Sequence, residues 1–153
     1  MYFRFPLGLY LRLRRISHGV TLGVRAAIFD NQRHVFLLEH TYTAGWHFPG
    51  GGVDPGESAA DAVERELGEE AGIALTGPAD LFGIYVNARL SRRDHVAFYV
   101  CHHWRQDHRP KVPNMEIRAC GFFPLDALPL GTTDATRQRL AEVLDGATRL
   151  ATW

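Results

Sequence analysis

Gly50-Gly51-Gly52-Val53-Asp54-Pro55-Gly56-Glu57-Ser58-Ala59-Ala60-Asp61-Ala62-Val63-Glu64-Arg65-Glu66-Leu67-Gly68-Glu69-Glu70-Ala71-Gly72-Ile73 decides how this chain reads. Pro49 followed by three glycines cannot continue a regular element, so the backbone must turn at Gly50. Ser58 has the residue type of a helix N-cap, and Asp61, three residues on, makes a weak capping box. Gly72 is placed to close the helix in the left-handed conformation. The spacing predicts a helix of about fourteen residues between them.

At about 100° per residue, Glu66, Glu69 and Glu70 fill one arc of that helix. Val63, Leu67, Ala60 and Ala71 occupy the adjoining arc, which places the carboxylates at the boundary of the packed face. Asp61, Glu64 and Gly68 fall on the remaining face. Most acidic runs are solvated surfaces, but this one carries like charges at i and i+4, costing roughly 0.2 to 0.5 kcal/mol. No lysine or arginine stands four residues after any of the three. Carboxylates without histidine or cysteine on the helix select a hard cation, Mg²⁺ or Mn²⁺, which such sites share with substrate phosphates. Gly68 is the local oddity: either another backbone approaches there, or it is a helix-weakening residue without a role.

Outward from this stretch, the chain has the size and apolar share of one globular domain, with 153 residues of which 46% are hydrophobic. Its 17 basic and 17 acidic residues argue against non-specific binding of nucleic acid or an anionic membrane, which needs a positive field. Charge is nonetheless sorted by region. Residues 1 to 29 hold five arginines and no acid, whereas residues 54 to 70 hold seven acids against Arg65. Residues 1 to 19 read as a basic extension whose secondary structure is open between strand and short amphipathic helix. It would pack on the domain, pack on a second copy in a homodimer, or form a basic lip for an anionic substrate. Cys101 and Cys120 sit in apolar runs and read as reduced core thiols. With no membrane span and no signal peptide in view, the expectation is a soluble, cytoplasmic protein.

Strands are expected at Val20 to Phe29 and His34 to Glu39, joined as a hairpin across Asp30-Asn31-Gln32, then at Leu81 to Asn87, His95 to Trp104 and Glu116 to Phe123. Thr132 or Thr133 caps a last amphipathic helix with Leu140, Val143, Leu144 and Ala147 inward. Strands on both sides of a helix define an α/β domain.

The fixed positions of the opening stretch, Gly51, Glu57, Arg65-Glu66-Leu67-Gly68-Glu69-Glu70 and Gly72-Ile73, resemble a complete Nudix box. The likeness extends to Trp46-His47-Phe48-Pro49-Gly50-Gly51 before it and to Glu116-Ile117, Phe122-Phe123 and Leu128-Pro129 after it, covering residues 20 to 130. This resemblance implies a Nudix-type α/β/α sandwich with a mixed β-sheet. It also implies hydrolysis of a nucleoside diphosphate derivative with Mg²⁺ or Mn²⁺. By position, Glu69 and Glu70 become the main metal ligands, Glu66 a ligand or water-activating base, and Gly50 a carbonyl ligand. Arg65 orients the carboxylates, Glu57 supports the loop or reaches metal through water, and Glu116 is a further ligand or base. A bridging diphosphate attacked by water needs such charge neutralisation and a proton acceptor, with Glu66 and Glu116 the two candidates.

For the substrate, a small nucleotide diphosphate, the contacts named are Arg25, Trp46 and Arg89. Arg92 and Arg93 are further arginines able to reach phosphates, and Tyr42 or Tyr85 are alternatives to Trp46 for stacking on a base. Specificity is placed in the loops at 40 to 48, 88 to 94 and 105 to 115. Ala88-Arg89-Leu90-Ser91 lacks the proline of many ADP-ribose hydrolases and the tyrosine of many diadenosine polyphosphate hydrolases. His102, His103 and His108 lack the partners and spacing of a zinc site. Two other functions compete. One is a nucleotide-sensing or scaffold module without turnover; the other is a prenyl diphosphate isomerase, which would need a catalytic cysteine where Cys101 or Cys120 stands.

Overall fold

The computed structural model describes residues 18 to 153, so the expectations for the basic extension, over its residues 1 to 17, lie outside the described residues. Among the described residues, eight strands and two helices follow in the order β1 (Thr21–Ile28), β2 (His34–His40), β3 (Trp46–His47), α1 (Ala59–Ala71), β4 (Ile73–Leu75), β5 (Asp80–Val86), β6 (Asp94–Cys101), β7 (Trp104–Gln106), β8 (Ile117–Pro124) and α2 (Asp134–Leu144). A mixed sheet has the order β1-β6-β5, with β1 parallel and β5 antiparallel to β6. A second, antiparallel sheet has the order β3-β2-β8, and β4 pairs with β7.

Side-chain alternation sends neighbouring residues of the same strand into two cores. Val24, Ala26, Ile28, Phe36, Ala97 and Tyr99 pack with Val63, Leu67 and Ala71 of α1. Ala27, Val35, Leu37, Phe98 and Val100 pack with Leu140 of α2. Strands covered on both faces read as near-continuous apolar runs, as β1 and β2 do. The result is a mixed α/β fold with a helix over each side of the strands.

The expected hairpin between the first two strands does not form. Asp30 makes the turn, its Oδ1 accepting from the amides of Gln32 and His34 at 2.8 Å each, but only Phe29 and Val35 pair across it. The reason is that the edge of β1 is already taken by the glycine loop. Val24 N donates to Gly51 O at 2.8 Å, Ala26 N to Pro49 O at 3.0 Å, and Val53 N to Leu22 O at 2.9 Å. Strand β2 therefore turns away to pair with β8. Short β4 and β7 were also unexpected; they close the segment after α1, where Gln106 Nε2 caps the Ala71 carbonyl at 3.0 Å.

Helix α1 forms as its caps require. Ser58 Oγ accepts from Asp61 N at 3.1 Å and donates to its carboxylate at 2.7 Å, and Gly72 closes the helix at φ 63°. Its buried face differs from the expected one. Ala62, Val63, Glu66, Leu67, Glu70 and Ala71 are buried, whereas Ala60 is exposed. Two of the carboxylates thus lie within the buried arc instead of at its margin. In α2, capped by Thr133, Leu144 is exposed and Ala147 lies beyond the helix. The interior positions belong to Thr136, Arg139, Leu140 and Glu142.

Nothing lies within 4 Å of a Cβ built on Gly68, so no close backbone approach explains this glycine. Gly68→Ala is expected to stabilise the protein by about 1 kcal/mol in urea denaturation, the helix-propensity difference. Gly72→Ala should do the opposite, costing more than the roughly 1 to 2 kcal/mol of a left-handed non-glycine residue. Its Cβ would stand 2.1 Å from the His108 carbonyl oxygen.

Candidate metal and substrate site

The glycine loop lies between β1 and α1, and both anchor it. On the strand side it is zipped to β1 by the backbone bonds described above. On the helix side Gly50 N donates to Glu70 Oε2 at 2.7 Å. Gly50 is at φ 139°, and a Cβ there would stand 2.1 Å from the Val24 carbonyl oxygen. A Cβ on Gly51 would meet Glu66 Oε1 at 2.3 Å, so the missing side chain makes room for that carboxylate against the loop.

Arg65 ties the remaining acids to the loop. Its Nε and Nη2 donate to the two oxygens of Glu57 at 2.9 and 3.0 Å, Nη1 donates to Glu66 Oε1 at 2.7 Å, and Nη2 also reaches Gly52 O at 2.9 Å. Bidentate, charge-assisted bonds of this kind fix orientation as well as distance. Hydrogen bonding from Arg65, then from the Asp54 amide, holds Glu57 down to about 2. Glu57 and Glu66 in turn raise Arg65 above its ordinary value.

Glu70 has the opposite setting. Burial, reinforced by the charges of Glu66 and Glu116, pushes it up to about 7, against the lowering effects of the Gly50 amide and Arg25. Beside it lies His40, 3% exposed, with neither ring nitrogen hydrogen-bonded among the described residues and Nε2 4.0 Å from Glu70 Oε1. Burial, then the positive charge of Arg25, pushes His40 down to about 4. A neutral imidazole beside a carboxyl that titrates near neutrality is not an ion pair, despite the short separation.

The site residues expected from sequence fall into three groups. Gly50, Glu57, Arg65, Glu66 and Glu70 are brought together. Arg25 joins them, but its guanidinium donates to the Gly50 carbonyl, the expected metal-ligating oxygen, and to Phe48 O at 3.3 Å. A cation already faces that carbonyl. Glu69 stands apart, its side chain 63% exposed and 3.6 Å from Arg65, and Glu116 is exposed immediately before β8, with its backbone carbonyl bound by Thr41 N at 2.9 Å. Trp46 is a packing residue, edge-on to Phe123 with ring centroids 4.7 Å apart. The three histidines 102, 103 and 108 form no metal-ligating cluster with other described residues.

A cavity of about 620 Å³ opens beside the glycine loop. Gly51, Gly52 and Arg25 line it together with Arg89, which has no hydrogen-bond or ion-pair partner among the described residues. Thr43, Ala44 and His47 from one expected specificity loop, and Arg89, Leu90 and Asp94 from another, contribute to the wall. The third, residues 105 to 115, contributes none, because β7 and its sequel are drawn to the far end of α1 by pairing with β4. Sequence reading missed Asn87, Thr133, Ala135 and Trp153, which complete the wall; none belongs to a motif.

These residues suit a hard divalent cation. The donor set is all oxygen, one carboxyl is buried without a guanidinium or ammonium partner, and the glycine loop leaves a cradle that a Cβ would fill. Among the described residues no three ligating side chains already stand together; Glu66 is held by Arg65, and the Glu69 side chain is 63% exposed with Oε2 3.6 Å from Arg65 Nη1.

The pattern of the NUDIX domain matches residues 19 to 144 of the chain. The chain belongs to the NUDIX family. A MutT NUDIX hydrolase from Burkholderia pseudomallei is 32% identical, with a TM-score of 0.68 over 80% of this chain and 97% of that one. An ADP-ribose pyrophosphatase from Streptococcus suis is 31% identical, with a TM-score of 0.62 over 87% of this chain and 96% of that one. Among curated relatives, a Bacillus subtilis protein named "Putative 8-oxo-dGTP diphosphatase" is 32% identical over 78 residues, 51% of this chain and 52% of that protein. An RNA pyrophosphohydrolase of Vibrio cholerae is 42% identical over 55 residues, 36% of this chain and 32% of that protein. The matched stretches thus span about half or less of these curated relatives.

Glu70 provides a pH test in the metal-free protein. Its ordinary value is 4.5 and its folded value about 7, so between the two the folded chain keeps a proton that the unfolded chain releases. The associated stability is complete below pH 4.5 and is lost as pH rises through 7. With chelator present, Glu70→Gln should match the parent near pH 4 and exceed it at about pH 8, by up to about 3 kcal/mol in urea denaturation. Equal differences at the two pH values would contradict the burial argument.

Proposed function

We propose that this chain hydrolyses a diphosphate linkage in a nucleoside diphosphate derivative, using water and a divalent cation, Mg²⁺ or Mn²⁺. The observation that carries the reading is the junction of the Glu66 and Glu70 carboxyls with the glycine loop, whose Gly51 and Gly52 line a cavity together with Arg25 and Arg89. An anionic substrate fits a wall with two arginines, and the carboxyls meet the same glycine loop that contributes to that wall.

Glu66, Glu69, Glu70 and the Gly50 carbonyl would hold the cation. When bound, it supplies neutralisation of phosphate charge and a lowered pKa for the attacking water. The chain's own residues do the rest. Arg65 fixes Glu66 through Oε1, which leaves Oε2 of Glu66 as the atom assigned to receive the proton. Of the two candidate bases, Glu66 is buried at the loop and held in place, whereas Glu116 is exposed, which favours Glu66. Arg25 and Arg89 steer and orient the phosphates, and Glu57 keeps Arg65 in position by its paired bonds. The names of the relatives, an 8-oxo-dGTP diphosphatase and RNA pyrophosphohydrolases, support a nucleotide as the substrate class.

The test is a screen of nucleoside triphosphates, including oxidised ones, ADP-ribose and other nucleotide sugars, dinucleoside polyphosphates and a 5′-phosphorylated oligoribonucleotide, each with Mg²⁺, Mn²⁺ or chelator. One preferred substrate should appear, with turnover lost in chelator and reduced at least about a hundredfold by Glu70→Gln or Glu66→Gln. Tight nucleotide binding with no turnover under either metal would instead favour a sensing module.

A further inference from the structure

The segment that follows α2, residues 147 to 153, lies beyond the part of the chain that matches the NUDIX pattern, yet it borders the cavity. It is bound along its length. Val86 N donates to Ala151 O at 3.0 Å and Trp153 N to Val86 O at 2.9 Å, so the segment covers the open edge of β5. Arg149 Nη1 donates to Phe82 O at 2.9 Å, Leu150 N to Glu142 Oε1 at 3.0 Å, and Arg139 Nη1 to Thr152 O at 3.0 Å.

The last two anchors come from a buried ion pair. Arg139 and Glu142 have fully buried side chains with Nη2 and Oε1 2.6 Å apart. Glu142 also accepts from Tyr85 at 2.9 Å and from Gln138 at 3.2 Å. A buried pair is a poor source of stability, because desolvation offsets the attraction; this one has a positional output, since both members bind the backbone of the segment. The Arg139 guanidinium also lies 4.1 Å from the Tyr85 ring centroid and 5.6 Å from that of Trp153.

What these anchors position is Trp153. Its ring stands edge-on to Tyr85 and Phe98, with centroids 5.8 and 5.6 Å away, and stays half-buried because it borders the 620 Å³ cavity and an adjoining one of about 210 Å³. The same large cavity reaches the glycine loop, Arg25 and Arg89, so one space is bordered by phosphate-binding chemistry and by a fixed indole.

We propose that residues 147 to 153 form a substrate-positioning strap, in which Trp153 is the aromatic wall that receives the base of a nucleotide whose phosphates face the glycine loop. This rests on the nucleotide reading given above. Arg139 and Glu142 are positioning residues for Trp153 and do not touch the substrate. An aromatic wall is tolerant of base identity, so Trp153 sets affinity for nucleotides as a class, and the polar neighbours Asn87 and Asp94, joined at 2.8 Å, remain to select among bases.

The experiment is calorimetric titration of the full chain with AMP, GMP, CMP and UMP in excess Mg²⁺. These contain no diphosphate bond, so binding is read apart from turnover. Trp153→Ala should weaken the best of them about tenfold or more, while Trp153→Phe stays within about threefold of the parent, as loss and retention of stacking require. On the substrate found by screening, Trp153→Ala should raise KM with kcat little changed, a split that a merely structural role would not produce. In the unaltered protein the nucleotide should also slow hydrogen exchange at the amides of Leu150 and Trp153, a readout that does not depend on any variant folding. Equal affinity for the parent and Trp153→Ala, or no protection of these amides by a bound nucleotide, overturns the strap while leaving the hydrolase reading intact. A parent protein that binds none of the four also overturns the strap, while the hydrolase reading stands or falls on the turnover screen.

Discussion

The bond from the Gly50 amide to the Glu70 carboxyl, 2.7 Å long, joins a glycine loop to a helix, and the arrangement of the site depends on it. A carboxyl in that position has to be buried, since the loop closes over it. Burial is then what raises its affinity for a proton. The same bond fixes the loop at a height where its carbonyls meet β1, so that the strand loses its hairpin partner and gains the loop instead. Loop, strand edge and helix are consequently one unit, and a displacement of any of them would be felt by the other two.

Cation chemistry around this unit is shared between residues of the chain. Arg65 occupies Glu57 and Glu66, and Arg25 occupies the Gly50 carbonyl. Both guanidinium groups neutralise charge that would otherwise repel along the helix and the loop, which allows acidic groups to gather without mutual expulsion. Arg65 is held by two carboxylates and a carbonyl, whereas Arg25 bonds only backbone carbonyls.

The far side of the strands is organised by different physics. There the second helix buries an arginine and a glutamate where an amphipathic reading expects leucines, and the pair fixes a following segment against the edge of β5. Covering an edge strand is useful in itself, because an exposed ladder of amides and carbonyls invites pairing with other chains. In this protein the covering segment also brings Trp153 to the wall of the cavity, so one short segment both protects an edge and borders that space.

The sequence by itself determined the helix with its Ser58 and Gly72 caps, the turn forced at Gly50, and the acidic arc, because capping, left-handed glycine and helical periodicity act between residues a few positions apart. The Nudix-box resemblance was legible for the same reason: its positions are local and fixed in spacing. Only the tertiary structure decided which glutamates are buried. Helical angles alone put Glu66, Glu69 and Glu70 at the margin of the packed face, and the closing loop moved that face onto Glu66 and Glu70 and away from Ala60. Tertiary structure also decided the loss of the first hairpin, the inward turn of Arg139 and Glu142, the packing role of Trp46 and the arrival of Trp153 at the cavity. Each of these depends on residues tens of positions apart competing for one strand edge or one buried volume, and no local pattern encodes the outcome of that competition.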